Sequence, residues 1–174
     1  HIIVDNCAMA GRSSRSFREE GRLEDIKNQM KSGDYLLIQF GHNDAAAEKK
    51  ERYVPLETFG ESLMEYIRVA REKKAYPILI SSICLRPCLA NEQGENAKID
   101  ALLPKYAEEM KKLADKENIP YVDMLGITRK ACAKAGEEQT AVWYREDNVH
   151  LQEAGAQLYA HFVAEEIKKL IGKE

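Results

Sequence analysis

The segment Tyr35-Leu36-Leu37-Ile38-Gln39-Phe40-Gly41-His42-Asn43-Asp44 constrains this chain more than any other. Six residues, nearly all apolar or aromatic, run without a break into four small or polar ones. A short continuous apolar run of this kind predicts a strand buried on both faces, as in a parallel α/β sheet. Gly41 then lets the backbone turn where a side chain would clash. His42, Asn43 and Asp44 fall just past the carboxyl end of that strand, the edge at which open α/β sheets place their ligands. Taken alone, the string also fits a strand followed by an ordinary polar turn.

The rest of the chain supplies partners for such a strand. Pro77–Ile83 reads as a second buried strand, Tyr121–Met124 as a short third, and the β-branched opening His1–Asn6 as one ahead of them. Between them lie apolar residues at helical spacing: Leu23, Ile26 and Met30; then Phe59, Leu63, Tyr66, Ile67 and Ala70, with Thr58 as the expected cap. A third set is Leu103, Tyr106, Met110, Leu113 and Ala114, with Pro104 expected in the first turn. Ile127–Ala135 predicts a short helix closed by Gly136, and Glu153–Ile171 a last one burying Leu158, Phe162, Val163, Ile167 and Leu170. Cys7–Phe17, the charged and mobile Ala45–Pro55, and Cys84–Ile99 are expected loops; the last is long enough to suggest function. Strands alternating with helices predict a parallel sheet in an α/β fold. At 174 residues, with no repeat and no linker, the chain reads as one domain over 1–174.

Charge removes some functions. A net charge of -3 and a pI near 5.9 give no basic footprint for nucleic acid. No apolar run is long enough to span a bilayer. The cysteines are Cys7, Cys84, Cys88 and Cys132; the spacing Cys84-x3-Cys88 is not a usual zinc pattern, and no His stands nearby. They read as buried free thiols in a reducing compartment, which favours the cytoplasm, with secretion left open.

Two stretches could carry chemistry beside His42–Asp44. In Asp147-Asn148-Val149-His150, a carboxylate three residues ahead of an imidazole can reach its Nδ1–H, fix the tautomer and leave Nε2 as a general base. The same residues also fit a capping Asp and an exposed His. In Ala10-Gly11-Arg12-Ser13-Ser14-Arg15-Ser16-Phe17, Gly11 can offer a backbone N–H to an anion, and Asn43 a side-chain amide from the neighbouring loop. Two donors converging on one point make an oxyanion hole; a solvated helix start with serine caps is the plainer alternative.

Together these strings, Asn6-x4-Gly11-Arg12-Ser13-Ser14-Arg15-Ser16, Gly41-His42-Asn43-Asp44 and Asp147-Asn148-Val149-His150, resemble blocks two, three and five of the SGNH (GDSL-type) hydrolases. The longer G-R-S-S-R-S-F and I-Q-F-G-H-N-D strings are similar to the rhamnogalacturonan acetylesterase-like branch. The resemblance implies a three-layer α/β/α, flavodoxin-like domain that removes acetyl groups from carbohydrate esters without metal or cofactor. It implies His150 as general base, Asp147 as its orienting partner, and Gly11 and Asn43 as oxyanion donors. His42 and Asp44 complete the third block as supports of its loop.

One block has no counterpart. The G-D-S that supplies the family's nucleophile, at the end of an interior first strand, occurs nowhere in this sequence. An interior strand cannot be lost without exposing rows of backbone donors and acceptors. An upstream segment of a few tens of residues, carrying that strand and the nucleophile, is the expectation; another element filling the slot is the alternative. Ser13, Ser14, Ser16, Ser81 and Ser82 do not form the strained elbow that presents such a serine. The leading reading is a serine esterase acting on an acetylated oligosaccharide or other small ester, with Arg86, Trp143 and Tyr144 as candidate substrate contacts. An inactive carbohydrate-binding domain of the same fold, and a phosphate or nucleotide binder using Arg12 and Arg15, are the alternatives. The oligomeric state, the sugar and the acyl group leave no trace in the sequence.

Overall fold

A computed structural model describes residues 2–87 and 94–172. Its elements in order are α1 (Ser14–Glu19), α2 (Arg22–Gln29), β1 (Tyr35–Gln39), α3 (Leu56–Glu72), β2 (Tyr76–Ile80), α4 (Glu95–Glu117), β3 (Tyr121–Val122), α5 (Met124–Ala141) and α6 (Glu153–Ile171). The strands form one parallel sheet in the order β1-β2-β3, with Tyr35 opposite Tyr76 and Leu79 opposite Tyr121. Because all three run the same way, residues 40–44, 81–87 and 123 leave the sheet at a single edge.

Helices flank the sheet. Helix α3 packs on β1 and β2, α4 on β2 and β3, and α1 and α2 lean on α3, while α5 and α6 pack on each other. The stripe expected on α3 is the one buried: Phe59, Leu63 and Ile67 are fully inside, with Tyr66 and Ala70. Burying each of these side chains contributes about 1.5–3 kcal/mol, so α3 forms a large part of the core. Strand β2 is inside from Pro77 to Ile80, as its apolar run requires.

Several expectations change. Ile2–Asn6 form no strand and are exposed. β1 is buried on one face only: Ile38 is inside, but Tyr35 and Leu37, pointing the other way, are 40% and 42% exposed. Among the described residues, β1 pairs only with β2 and so stands at the edge of the sheet. Ala45–Val54 is not a loose loop, since Ala45, Ala46 and Val54 are buried and Tyr106 Oη donates to the Val54 carbonyl at 2.6 Å. Thr58 does not cap α3; Pro55 holds that place, and the Thr58 hydroxyl donates back to the Pro55 carbonyl. Of the five α6 residues expected inside, all are only partly buried, and Gly155 and Tyr159 fill the deepest positions. Cys7 is exposed, Cys84 and Cys132 are buried, and Cys88 lies outside the described residues.

Pro104 is inside α4 rather than in its first turn, because the helix begins at Glu95. A mid-helix proline has no N–H for the carbonyl four residues earlier, here Asp100. That carbonyl takes the Arg129 guanidinium of α5 instead, at 3.3 Å. Gly136, with φ 80° and ψ -178°, interrupts α5 where the sequence expects its end, and the helix resumes beyond it.

Candidate active site

Three loops meet at the carboxyl edge of the sheet. The first follows Ala10 and enters α1. Gly11 has φ +77°, a conformation open to glycine at little cost. Ser13 then caps α1 in a reciprocal capping box with Ser16. The second loop leaves β1, where Gly41 has φ +144° and its α-carbon faces Ser82 so closely that a Cβ would collide with the Ser82 hydroxyl.

Buried Asp44 joins these two loops. Its carboxylate accepts from Ser14 N (3.0 Å), Ser14 Oγ (2.5 Å) and Gly41 N (3.0 Å). Burial pushes its pKa up to about 6, against the pull of the Ser14 and Gly41 donors. Asn43, next to it, donates its side-chain amide to the Arg12 carbonyl at 3.0 Å. Asn43 and the loop around Gly11 thus lie side by side, and the second Asn43 amide hydrogen points elsewhere. Gly11 N–H finds no acceptor among the described residues.

The third loop precedes α6. Asp147 accepts from the backbone N–H of Val149 (2.9 Å) and His150 (2.8 Å) with one oxygen, while its other oxygen meets His150 Nδ1 at 2.7 Å. Partial burial pushes the Asp147 carboxyl up, but the backbone donors and the ring outweigh it and hold it at about 2. At neutral pH Asp147 is therefore a carboxylate, which can only accept, so Nδ1 carries the hydrogen of the 2.7 Å contact. The His150 side chain is 67% exposed. The turn is closed at its base by the Arg145 N–H to the His150 carbonyl and by an antiparallel bridge between Tyr144 and Leu151.

His42 lies in the second loop. Burial depresses its imidazole pKa to about 4, and His150 is near enough to add to that depression electrostatically. A neutral His42 thus lies buried next to Asn43 in the chain, with Nε2 shut off from solvent and unpartnered among the described residues. A cleft of about 200 Å³ opens here, lined by Arg12, Gln39–Asn43, Ser82 and Ile83. A wider one of about 410 Å³ adjoins it beside Gly11, Arg12 and Arg52.

The serines at this edge of the sheet are occupied in structure. Ser14 and Ser81 are fully buried and Ser82 nearly so. Ser14 Oγ meets Asp44 and Ser62, Ser81 Oγ accepts from Leu125 N, and Ser82 Oγ donates to the Phe40 carbonyl. Arg12 is paired with Glu20 at 2.9 Å, and Arg15 stands 3.8 Å from Glu19. Among the described residues no group of three or more His, Cys, Asp or Glu side chains is placed to hold a metal ion, and no helix is long and apolar enough to cross a membrane.

Two of the expected substrate contacts lie elsewhere. Tyr144 is 1% exposed, donates to the Cys84 carbonyl at 2.9 Å and meets Tyr159 Oη at 2.8 Å, so it cannot stack on a sugar. Arg86 turns its guanidinium inward, to Asn148 Oδ1, the Glu137 carbonyl and Thr140 Oγ1. Half-buried Trp143 packs edge-on against Tyr159. The partnership of Arg86 with Asn148 has no sequence signal, because 62 residues separate them and neither belongs to a periodic pattern.

A parallel sheet carrying an Asp-His pair and an Asn-bearing turn at its carboxyl edge is the architecture of an α/β hydrolase of the SGNH type. Residues 1–158 match the GDSL-like lipase/acylhydrolase family, and the chain belongs to that family. Within it the chain falls in the rhamnogalacturonan acetylesterase-like branch. It is 37% identical to rhamnogalacturonan acetylesterase RhgT of Bacillus subtilis (strain 168) over 97% of this chain and 75% of that one. It is equally 37% identical to the probable rhamnogalacturonan acetylesterase YesY of the same organism, over 98% and 78%. Among solved structures, the YxiM protein of B. subtilis superposes with a TM-score of 0.80 at 27% identity, covering 97% of this chain and 46% of that one. Axe2, an acetylxylan esterase from Geobacillus stearothermophilus, superposes at 0.68 and 21% identity over 94% and 69%, and shares the fold.

Proposed function

We propose that this chain is the base-and-oxyanion part of a serine esterase that removes acetyl groups from a carbohydrate ester. The observation that carries the reading is the Asp147–His150 pair, 2.7 Å apart, in a turn held through Asn148 to Arg86 on the segment leaving β2, at the sheet edge from which the Asn43 loop also leaves. In this reading a serine hydroxyl attacks the acetyl carbon and His150 Nε2 takes its proton. Asp147 steadies the imidazolium, and Gly11 N–H and the Asn43 amide receive the oxyanion. His150 then returns the proton to the departing sugar oxygen, and water repeats the cycle on the acyl-enzyme.

The nucleophile is assigned to a segment preceding residue 1, because Ser14, Ser81 and Ser82 are buried and held in structural hydrogen bonds and Ser13 and Ser16 form the cap of α1. Residues 1–174 otherwise act as a single domain. The names of the relatives RhgT and YesY support acetylated rhamnogalacturonan as substrate.

The test is acetate release from an acetylated oligosaccharide by the full-length protein. His150→Ala should lower kcat roughly 10⁴-fold or more. A His150→Ala variant retaining activity would overturn the assignment, and a full-length protein with no esterase activity would favour a binding domain of the same fold.

A further inference from the structure

The turn that presents His150 is exposed at its tip. Its base is tied to the body by the Tyr144–Leu151 bridge, but the side chains of Asp147 and His150 are 46% and 67% exposed. Packing alone does not fix such a pair. Between them Asn148 adopts φ +58°, a left-handed conformation that Asn tolerates better than most residues.

Arg86 grips that residue twice. Its backbone N–H donates to the Asn148 carbonyl at 3.0 Å, and Nη1 donates to Asn148 Oδ1 at 3.0 Å. The other arm of the guanidinium donates to the Glu137 carbonyl at 3.1 Å, in the last part of α5. Among the described residues Arg86 pairs with no carboxylate, so its charge is spent on neutral oxygens. A planar fork that engages two separate elements is a spacer of fixed length, which a lysine cannot reproduce. Arg86 itself stands on the segment leaving β2, beside Cys84, whose carbonyl receives Tyr144.

We propose that Arg86 is a positioning residue for the ester hydrolysis. Through Asn148 it sets where the Asp147–His150 turn sits against the segment leaving β2, and it does not touch the sugar. This rests on the assignment of His150 as the base. A displacement of about 1 Å in a reacting group can cost about 100-fold in rate, so the effect belongs in kcat.

The experiment uses the full-length protein and an acetylated oligosaccharide. Arg86→Gln should lower kcat by about 10- to 100-fold with KM within about twofold of the parent. Arg86→Lys, which keeps the charge and loses the fork, should recover little of that loss. Asn148→Gly keeps the left-handed backbone but removes Oδ1, and should lower kcat in the same way. The double variant should be no worse than the more affected single variant, because both remove one contact. A raised KM with kcat preserved would make Arg86 a substrate contact and overturn the proposal. Losses that multiply in the double variant, or full activity in Arg86→Gln, would overturn it as well. If Arg86→Gln fails to fold, Asn148→Gly carries the test by itself, its loss in kcat at unchanged KM being required. His150→Ala in the same assay separates the two claims: an active His150→Ala removes the base, whereas an inactive one beside a fully active Arg86→Gln removes only the role of Arg86.

Discussion

Asp44 and Ser14, thirty positions apart in the chain, share two hydrogen bonds in the interior: the carboxylate accepts both the Ser14 N–H and the Ser14 hydroxyl. With the third bond, from Gly41 N–H, one buried carboxylate holds together the loop entering α1 and the loop leaving β1. Each side of the cleft depends on it.

That carboxylate gives the protein a pH signature. Burial raises its pKa from 3.8 to about 6, so between these values the folded state holds a proton that the unfolded chain has released. Stability from this group is greatest below about pH 4 and is lost as the pH rises through 6. Asp44→Asn has no such proton. The difference in unfolding free energy between wild type and Asp44→Asn should move against the wild type by an amount on the order of 3 kcal/mol from pH 4 to pH 7. Urea titrations of both proteins at a series of pH values measure this; a difference that stays constant would refute it.

Gly41→Ala tests the close approach of β1 and β2 beyond their ladder. The new Cβ meets the Ser82 hydroxyl and the backbone keeps φ +144°. Strain of this kind costs about 1–3 kcal/mol. Adding Ser82→Ala should return part of it by removing the colliding oxygen, while the backbone strain remains. Denaturant midpoints of the two variants and the double variant show whether the collision is the cause.

Asp147→Asn keeps the size of the side chain and removes its charge. An amide at this place can offer its oxygen to the Val149 and His150 N–H groups, but it then presents an NH₂ to Nδ1 and selects the wrong tautomer. In the full-length protein kcat should fall by about 10⁴-fold with folding retained, as judged by thermal unfolding. Activity within tenfold of wild type would show that His150 does not act through Asp147.

Much of the fold is legible where the periodicity is strong. Phe59, Leu63 and Ile67 recur at helical spacing and are fully buried, and the run ending at Ile80 is a doubly covered strand. The site string Gly41-His42-Asn43-Asp44 falls at a strand end, as its glycine and apolar approach require. What the sequence hides is tertiary. Ile2–Val4 have the composition of a strand but no neighbour among the described residues to pair with. Tyr144 reads as a stacking residue until its hydroxyl is seen between Cys84 and Tyr159. Arg86 reads as a candidate substrate contact, and its distant partner Asn148 gives no local sign. Pro104 reads as a helix start because the Arg129 that compensates for it lies on another helix.

The bond from Asn43 to the Arg12 carbonyl has a consequence for any anion reaching this cleft. An amide tethered by one of its hydrogens can no longer spin, so its remaining hydrogen keeps one heading. The freedom a loose asparagine would surrender on meeting a ligand has been given up during folding.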